Sequence, residues 1–478
     1  MQTISSIIRL MSILVAVLII SGCRTWYQKN RKFNEYYLNG QLEKAEEILA
    51  SDKKAEEQKN RVLYFLNLGL LSHMQGEYAE SNELFEKALL AAETIGKNYA
   101  LESAALLTNP NVLPYKGEDF ELLMVNYYKA LNYMYLKDYD AALVECRRMD
   151  IKMAALADKY KKAQRYKHDA FIHNLMGIIY DADRDYNNAF IAYRNAYNYY
   201  KDDYSALFGM TTPLQLKKDL LRAAYRTGFH DEVEFYEKEF GMYFMPDKDK
   251  DTGTGELVFF WHNGMGPVKE EWGINFYLVR GEGGIVTFVN EEFGWSFPFP
   301  TSRSDSTLLG NLHMIRVALP KYVERIPQFS NGRLMFSGKE IPLETGENIS
   351  AIAFQSLKDR LTRDLGNSLM RLALKKSAEM AVRKQNQDIG AAIGVVNFLT
   401  EHADTRHWQT IPHSIYYGRA KLPEGEQKVQ FRFYDGMAGR DAVQDFIFHI
   451  RENRTEFFAF HTPGVLKSYH YRGNPYVW

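Results

Sequence analysis

Cysteine is scarce: Cys23 and Cys146 are the two in 478 residues. That excludes a disulfide framework and any cysteine-built zinc or iron–sulfur site. A surplus of either charge is missing too. Lys+Arg number 59 and Asp+Glu 60, for a net charge of -1. A dedicated nucleic-acid binder is expected to be basic as a whole or along a stripe, so none is expected here. No apolar run reaches the roughly 20 residues that a membrane-spanning helix needs. P-loop, GxGxxG, HExxH and GxSxG motifs are all missing. No nucleophile sits beside an evident base, so the expectation is a non-enzymatic protein without a cofactor or metal. What is plentiful is aromatic: 32 Tyr and 29 Phe, within 46% hydrophobic and 25% charged residues. Such a balance suits two or three globular domains.

The first residues carry a targeting pattern. Arg9 and the terminal amine precede an eleven-residue, largely apolar stretch, Leu10–Ile20, and then Ser21-Gly22-Cys23. A short basic region, a 7–15-residue apolar run and small residues before a cut site make a secretory signal. Ending on Cys, the segment resembles the bacterial lipobox. The resemblance implies cleavage after Gly22, diacylglycerol on the Cys23 thiol and a third acyl chain such as palmitate on the new amine. Two or more chains give stable anchoring, at roughly 0.8 kcal/mol per buried CH₂. Arg24, where inner-membrane sorting would favour Asp, implies the outer membrane of a Gram-negative envelope.

The N-terminal half repeats itself. Val62–Ala91, a stretch from Leu123 and another from Ala170 align on a small residue: Gly69, Ala130, Gly177. Nine positions later each has Tyr78, Tyr139 or Tyr186, then Ser81, Ala142 or Ala189, then Phe85, Cys146 or Tyr193. Gly76-Glu77, Lys137-Asp138 and Arg184-Asp185 occupy the turns. This grammar is similar to the tetratricopeptide repeat (TPR), a helix pair of about 34 residues. Small residues sit where paired helices touch, and large ones fill the space to the next pair. A weaker copy spans Phe33–Leu49, and a final pair spans Leu214–Phe240. The aligned small residues lie 61 and 47 apart, so an irregular superhelix is expected.

By the same resemblance the concave face would carry Leu66, Leu70, Tyr127, Leu131, Tyr135 and Asn174, with His73 and Phe171 beside them. The face is apolar and aromatic and lacks the Lys, Arg and Asn of a carboxylate clamp. Two readings stay open: the chain's own C-terminal half or an inserted loop fills it, or it receives an apolar partner segment.

After Phe240 the period changes. A polar linker over 242–255 leads to strand candidates Glu256–Trp261, Ile274–Arg280, Ile285–Asn290, Leu312–Leu319, Leu334–Phe336, Val429–Tyr434, Phe446–Ile450 and Phe457–His461. Arg419–Gly425 reads as a turn entering a strand. A helical insert covers about 349–400, with Leu357, Leu361, Leu365, Leu369 and Leu372 at helical spacing. The fold class expected is α+β: an all-α TPR-like superhelix over 23–241, then a β-rich, sandwich-like half over 256–478. Residues 1–22 form the signal.

One cluster invites a chemical reading. His402, Asp404, His407 and His413 share a short segment, but spacings of five and six do not put the histidines on one helical face. Asp404 and Arg406 beside Trp408 look like a structural ion pair under an aromatic. The whole chain resembles a family of bacterial TPR lipoproteins common in the Bacteroidota that has no assigned activity. The resemblance rests on Cys23–Tyr27, the repeats, Phe259–Gly264 with Gly266–Lys269, Asp404–Arg406 with Trp408, and Leu422-Pro423. It implies an envelope lipoprotein that scaffolds another envelope protein through its groove or β-half. The alternative is a glycan- or peptidoglycan-binding, or hydrolytic, C-terminal half.

Overall fold

A computed structural model describes residues 30–51, 55, 57–97, 111, 113–160, 168–246, 252–280, 285–300, 314–385 and 402–468. Cys23, the signal segment and the end of the expected helical insert, 386–400, lie outside the described residues.

Among the described residues, five helix pairs build the N-terminal half. They are α1 (Arg31–Leu38) with α2 (Leu42–Ala50), α3 (Arg61–Gln75) with α4 (Tyr78–Gly96), α5 (Asp119–Tyr135) with α6 (Tyr139–Tyr160), α7 (Ala170–Ala182) with α8 (Tyr186–Tyr199), and α9 (Leu214–Thr227) with α10 (His230–Phe240). The small residues do what their spacing predicts. A Cβ on Gly177 would meet the Tyr193 ring at 2.4 Å, and one on Gly69 the Phe85 ring at 2.8 Å. Ala130 and Cys146, the middle pair of the same alignment, are buried. The turns share one conformation as well: Gly76, Lys137 and Arg184 all have left-handed φ, at 87°, 61° and 66°. Glycine takes that region freely, whereas Lys and Arg are strained there by about 1–2 kcal/mol. The strained side chains reach the C-terminal half. Lys137 Nζ meets Glu456 at 3.1 Å, and Arg184 Nη2 donates to the Asn453 carbonyl at 2.9 Å.

The C-terminal half contains β1 (Thr254–Asn263), β2 (Val268–Arg280), β3 (Ile285–Asn290), β4 (Trp295–Pro300), β5 (Met314–Val323), β6 (Arg325–Pro327), β7 (Phe329–Phe336), β8 (Lys339–Pro342) and β9 (Glu344–Asn348). After the long helix α11 (Ile349–Gln385) come β10 (Ser414–Pro423), β11 (Gly425–Asp435), β12 (Arg440–Ile450), β13 (Thr455–Thr462) and β14 (Val465–Ser468). Two four-stranded sheets, β13-β1-β10-β9 and β12-β11-β7-β8, form the sandwich, and a third, β4-β3-β2-β5, stands apart from them in pairing. The chain bends from the first sheet to the second at Glu424, between β10 and β11. Arg419–Pro423 is therefore the end of a strand, not a turn. The Pro-Glu-Gly that signalled a turn makes a one-residue bend between two sheets. Strands β4, β8 and β9 carry proline or mostly polar residues, so alternation did not mark them.

Strand β1 shows why the layers stack as they do. Leu257, Phe259 and Trp261 enter the sandwich core with Val429, Phe431 and Leu334. Val258 and Phe260, on the opposite face, join the core of the helical repeats. A strand buried on both faces reads as a continuous apolar run rather than an alternation, and Leu257–Trp261 does. One core thus runs through both halves, giving three layers: helices, first sheet, second sheet. Helix α11 spans two cores. Ile349, Ile352 and Leu357 pack with the repeats, while Leu365, Leu369 and Leu372 cover the third sheet against Ile274, Phe276 and Val317.

Candidate functional site

The concave face of the repeats is filled by the chain's own C-terminal half. Leu66, Leu70 and Asn174 have no exposed surface, and Tyr127 and Leu131 are 1% exposed. These five residues therefore do not line an open groove. Sequence alone could not decide this, because an apolar concave face is required whichever chain covers it.

Two parts of the chain do the filling. One is the outer face of the first sheet. The Tyr127 hydroxyl lies 2.9 Å from His262 Nε2 of β1, and a Cβ on Gly346 of β9 would meet the Phe171 ring at 2.5 Å. Only glycine allows strand and ring to touch there. The other is the loop Asp404–Ile411. Trp408, 1% exposed, packs on Phe85 and Tyr128 at ring separations of 6.0 Å, and its backbone N–H donates to Glu121 at 2.6 Å. Asn34 donates to Gln409 at 2.7 Å, Tyr37 to the Thr410 carbonyl at 3.1 Å, and Thr410 to Asn67 at 2.9 Å.

Buried charge joins the same surfaces. Arg419 of β10 meets Asp181 at 2.7 Å, Glu256 at 2.6 Å and Asp219 at 3.4 Å. Arg222 of α9 meets Glu256 at 2.6 Å and also pairs with Asp181. A second knot ties Glu118, at the start of α5, to Lys269 of β2 and Arg360 of α11. Burial raises the Glu118 carboxyl, but Arg360 and Lys269 outweigh it and hold the group well below the usual range. Buried ion pairs of this kind are costly to break from one side.

The histidines expected to be of chemical interest do not converge. His402 lies 3.2 Å from Glu271, Asp404 holds Arg406 through two contacts of 2.9 and 2.6 Å, His407 faces the Thr405 carbonyl, and His413 lies 3.1 Å from Glu324. The Asp404–Arg406 pair is structural. Its guanidinium also donates to Asn60 and the Leu113 carbonyl and sits 5.3 Å over the Tyr115 ring.

At one end of the filled groove the surfaces part. A cleft of about 390 Å³ opens between the end of α3 and the strands β12 and β13. Its walls are Met74, Tyr78, Tyr135, Phe446, Phe458 and Phe460, and His73 and His461 close its base. Of the expected groove residues, His73 and the half-buried Tyr135 line this opening. The Tyr135 hydroxyl accepts the Ala459 N–H at 2.6 Å, and its ring stacks on Tyr78 at 4.3 Å and 6°.

Behind the cleft three imidazoles meet. His262 and His461 stand opposite each other in the parallel pairing of β1 with β13, with ring centres 4.2 Å apart. His73 lies 5.6 Å from His461 and hydrogen-bonds Asn132 at 2.6 Å. Burial pushes the His73 imidazole down to about 4, the Asn132 contact opposing it. Burial takes His262 and His461 well below the ordinary histidine range, helped by their neighbours. All three are neutral at physiological pH. His262 Nδ1, His461 Nε2 and the Tyr128 hydroxyl are buried with no hydrogen-bond partner among the described residues. The cleft walls carry no carboxylate, serine or thiol, and Met74, Tyr78, Tyr135 and the phenylalanines can hold an apolar or aromatic group. Phe-Phe-Trp-His at 259–262 and Phe-Ala-Phe-His at 458–461 were the available signal for this cluster. Both strands carry a histidine after aromatics, one residue before their end, but their parallel pairing could not be read from the chain.

No family model matches the chain, and no curated protein does. Among solved structures, BtubC (BKLC) from P. vanneervenii aligns at 16% identity and TM-score 0.31, covering 43% of this chain and 74% of its own. The kinesin light chain TPR-like repeats from Podosopora anserina align at 16% and 0.27, covering 44% and 90%. A tetratricopeptide repeat protein from Parabacteroides merdae aligns at 16% and 0.20, covering 46% and 80%. Overlaps this slight add nothing to the repeat architecture, which stands on the Gly69–Phe85 and Gly177–Tyr193 contacts.

Proposed function

We propose that this chain is a lipid-anchored, non-catalytic scaffold of the bacterial cell envelope, engaging its partner through the aromatic cleft rather than through the repeat groove. The observation that carries the reading is the contrast in the site itself: the groove is sealed by Trp408 and β1, whereas Tyr78, Tyr135, Phe446 and Phe458 leave an uncharged cleft at its end. A half-buried aromatic cleft suits an apolar segment of a protein partner. Cys23 supplies the tether by its resemblance to a lipobox. Anchoring at the outer membrane raises the effective concentration of the scaffold near its partner. The hydrolytic alternative loses its candidate residues, because His402, Asp404, His407 and His413 each serve a separate structural contact.

The test is a photo-crosslinking amino acid placed at Tyr78 and, separately, at Tyr225 on the helical surface, in native cells. A single envelope protein joined at Tyr78 and not at Tyr225 supports the reading. Adducts to glycan strands, or none at Tyr78, overturn it. For the anchor, Cys23→Ser should abolish palmitate labelling and release the protein from membranes. Retention of both would refute lipidation.

A further inference from the structure

Away from the cleft, a second group of side chains has the chemistry of a metal site. Asp150 lies midway along α6, His168 just before α7, and His173 in the first turn of α7. His168 Nδ1 is 2.8 Å and His173 Nε2 3.1 Å from the same oxygen, Asp150 Oδ1. One donor atom from each residue lies within 4.8 Å of the others.

From this arrangement we propose that Asp150, His168 and His173 bind one divalent zinc ion that staples α6 to α7. Zinc bound tetrahedrally at about 2.0–2.1 Å has neighbouring ligand atoms roughly 3.3 Å apart, close to the two separations seen here. Two imidazoles and one carboxylate suit zinc, whereas calcium and magnesium prefer oxygen alone. The fourth position is left for water. Access and rigidity are both present. Side chains of Asp150 and His168 are 28% and 32% exposed, so an ion can enter, while His173 is 8% exposed. The Tyr199 ring stacks on His168 at 4.7 Å and 15° and meets His173 edge-on at 4.9 Å. It fixes both imidazoles from one side, as outer-shell partners do around metal ligands. The site bridges two successive repeats where the small-residue spacing stretches to 47, so a staple has a structural task. His168 and His173 are five apart and Asp150 is eighteen before His168, so no sequence motif marks the set.

The experiment uses the full chain with Cys23→Ser, tag removed and metal stripped by chelator, titrated with Zn²⁺ alone and with Co²⁺ alone. The expected result is one equivalent of Zn²⁺, a rise in Tm on binding, and visible Co²⁺ bands of a tetrahedral site. Asp150→Asn and His168→Gln, both at partly exposed positions, should weaken Zn²⁺ binding by more than about 100-fold and remove the Tm rise. His402→Gln should change neither. Circular dichroism establishes that each variant is folded. Failure of the parent chain to bind Zn²⁺, or equal binding by the folded Asp150→Asn and His168→Gln variants, overturns the site.

Discussion

The two ends of the repeat groove are built from similar residues and finished differently. At the filled end Trp408, Gln409 and Thr410 enter among Phe85, Tyr128, Asn34 and Asn67, and the polar contacts made there are direct hydrogen bonds of 2.6–3.1 Å. At the other end Tyr78, Tyr135 and the β12–β13 aromatics leave a cleft open between them, and buried polar atoms without a hydrogen-bond partner among the described residues occur at both ends, Trp408 Nε1 at the filled one and His461 Nε2 behind the cleft. An unpaired buried polar atom costs about 1–3 kcal/mol. The comparison separates two uses of one aromatic vocabulary: packing in the first place, and in the second an open wall that the proposed partner would occupy.

The largest expected effects break the filled side. Arg419→Met leaves Asp181, Asp219 and Glu256 with one cation fewer in a buried network, and should destabilise the fold by about 3–5 kcal/mol in urea titration. Trp408→Ala removes the plug of the groove and should cost a similar amount, about 3–5 kcal/mol. A loss below about 1 kcal/mol for both would mean that the two halves are held together elsewhere.

The next effect sharpens the contrast through pH. His262 is neutral in the fold because burial depresses its imidazole well below the ordinary value. A base with a depressed folded value gives stability that is complete above the unfolded value, about 6.5, and is lost as pH falls below it. Buried Glu121, whose carboxyl burial raises, works in the opposite sense, so the variant difference is the useful quantity. His262→Gln keeps an amide for the Tyr127 hydroxyl. It should flatten the loss of stability between pH 6.5 and 5 by up to about 1.4 kcal/mol per pH unit. Parallel pH profiles for parent and variant would show that His262 does not titrate with unfolding.

Smaller effects belong to the open side and the turns. Tyr78→Ser, at a half-exposed position, should change stability by about 1 kcal/mol or less while abolishing the partner adduct. Arg184→Gly exchanges left-handed strain for the loss of one exposed hydrogen bond to Asn453, and should stay within about 1 kcal/mol of the parent. A much larger loss would show that the turn side chains are principal ties between the halves.

The helical half was legible because its signals are local. Gly69, Gly177 and their partners Phe85 and Tyr193 lie sixteen residues apart, and the turn positions 76, 137 and 184 repeat one backbone conformation. The C-terminal half was legible in parts. Leu257–Trp261 announced a strand buried on both faces, and the leucines of α11 kept helical spacing. Its assembly was not, because β1 pairs with β10 and β13, about 160 and 200 positions further on. The segment His402–His413 drew attention for its histidines, while its role lies in Trp408 and Thr410. Nothing in composition distinguishes a loop that binds a metal from one that seals a groove.

The central claim is that Asp404–Ile411 closes the repeat groove in the folded protein. The direct test is a double-mutant cycle on Asn34 and Gln409, whose side chains meet at 2.7 Å across 375 positions. Asn34→Ala, Gln409→Ala and the double variant should show a coupling of about 1 kcal/mol in equilibrium unfolding. Additive effects with zero coupling would contradict the closed groove.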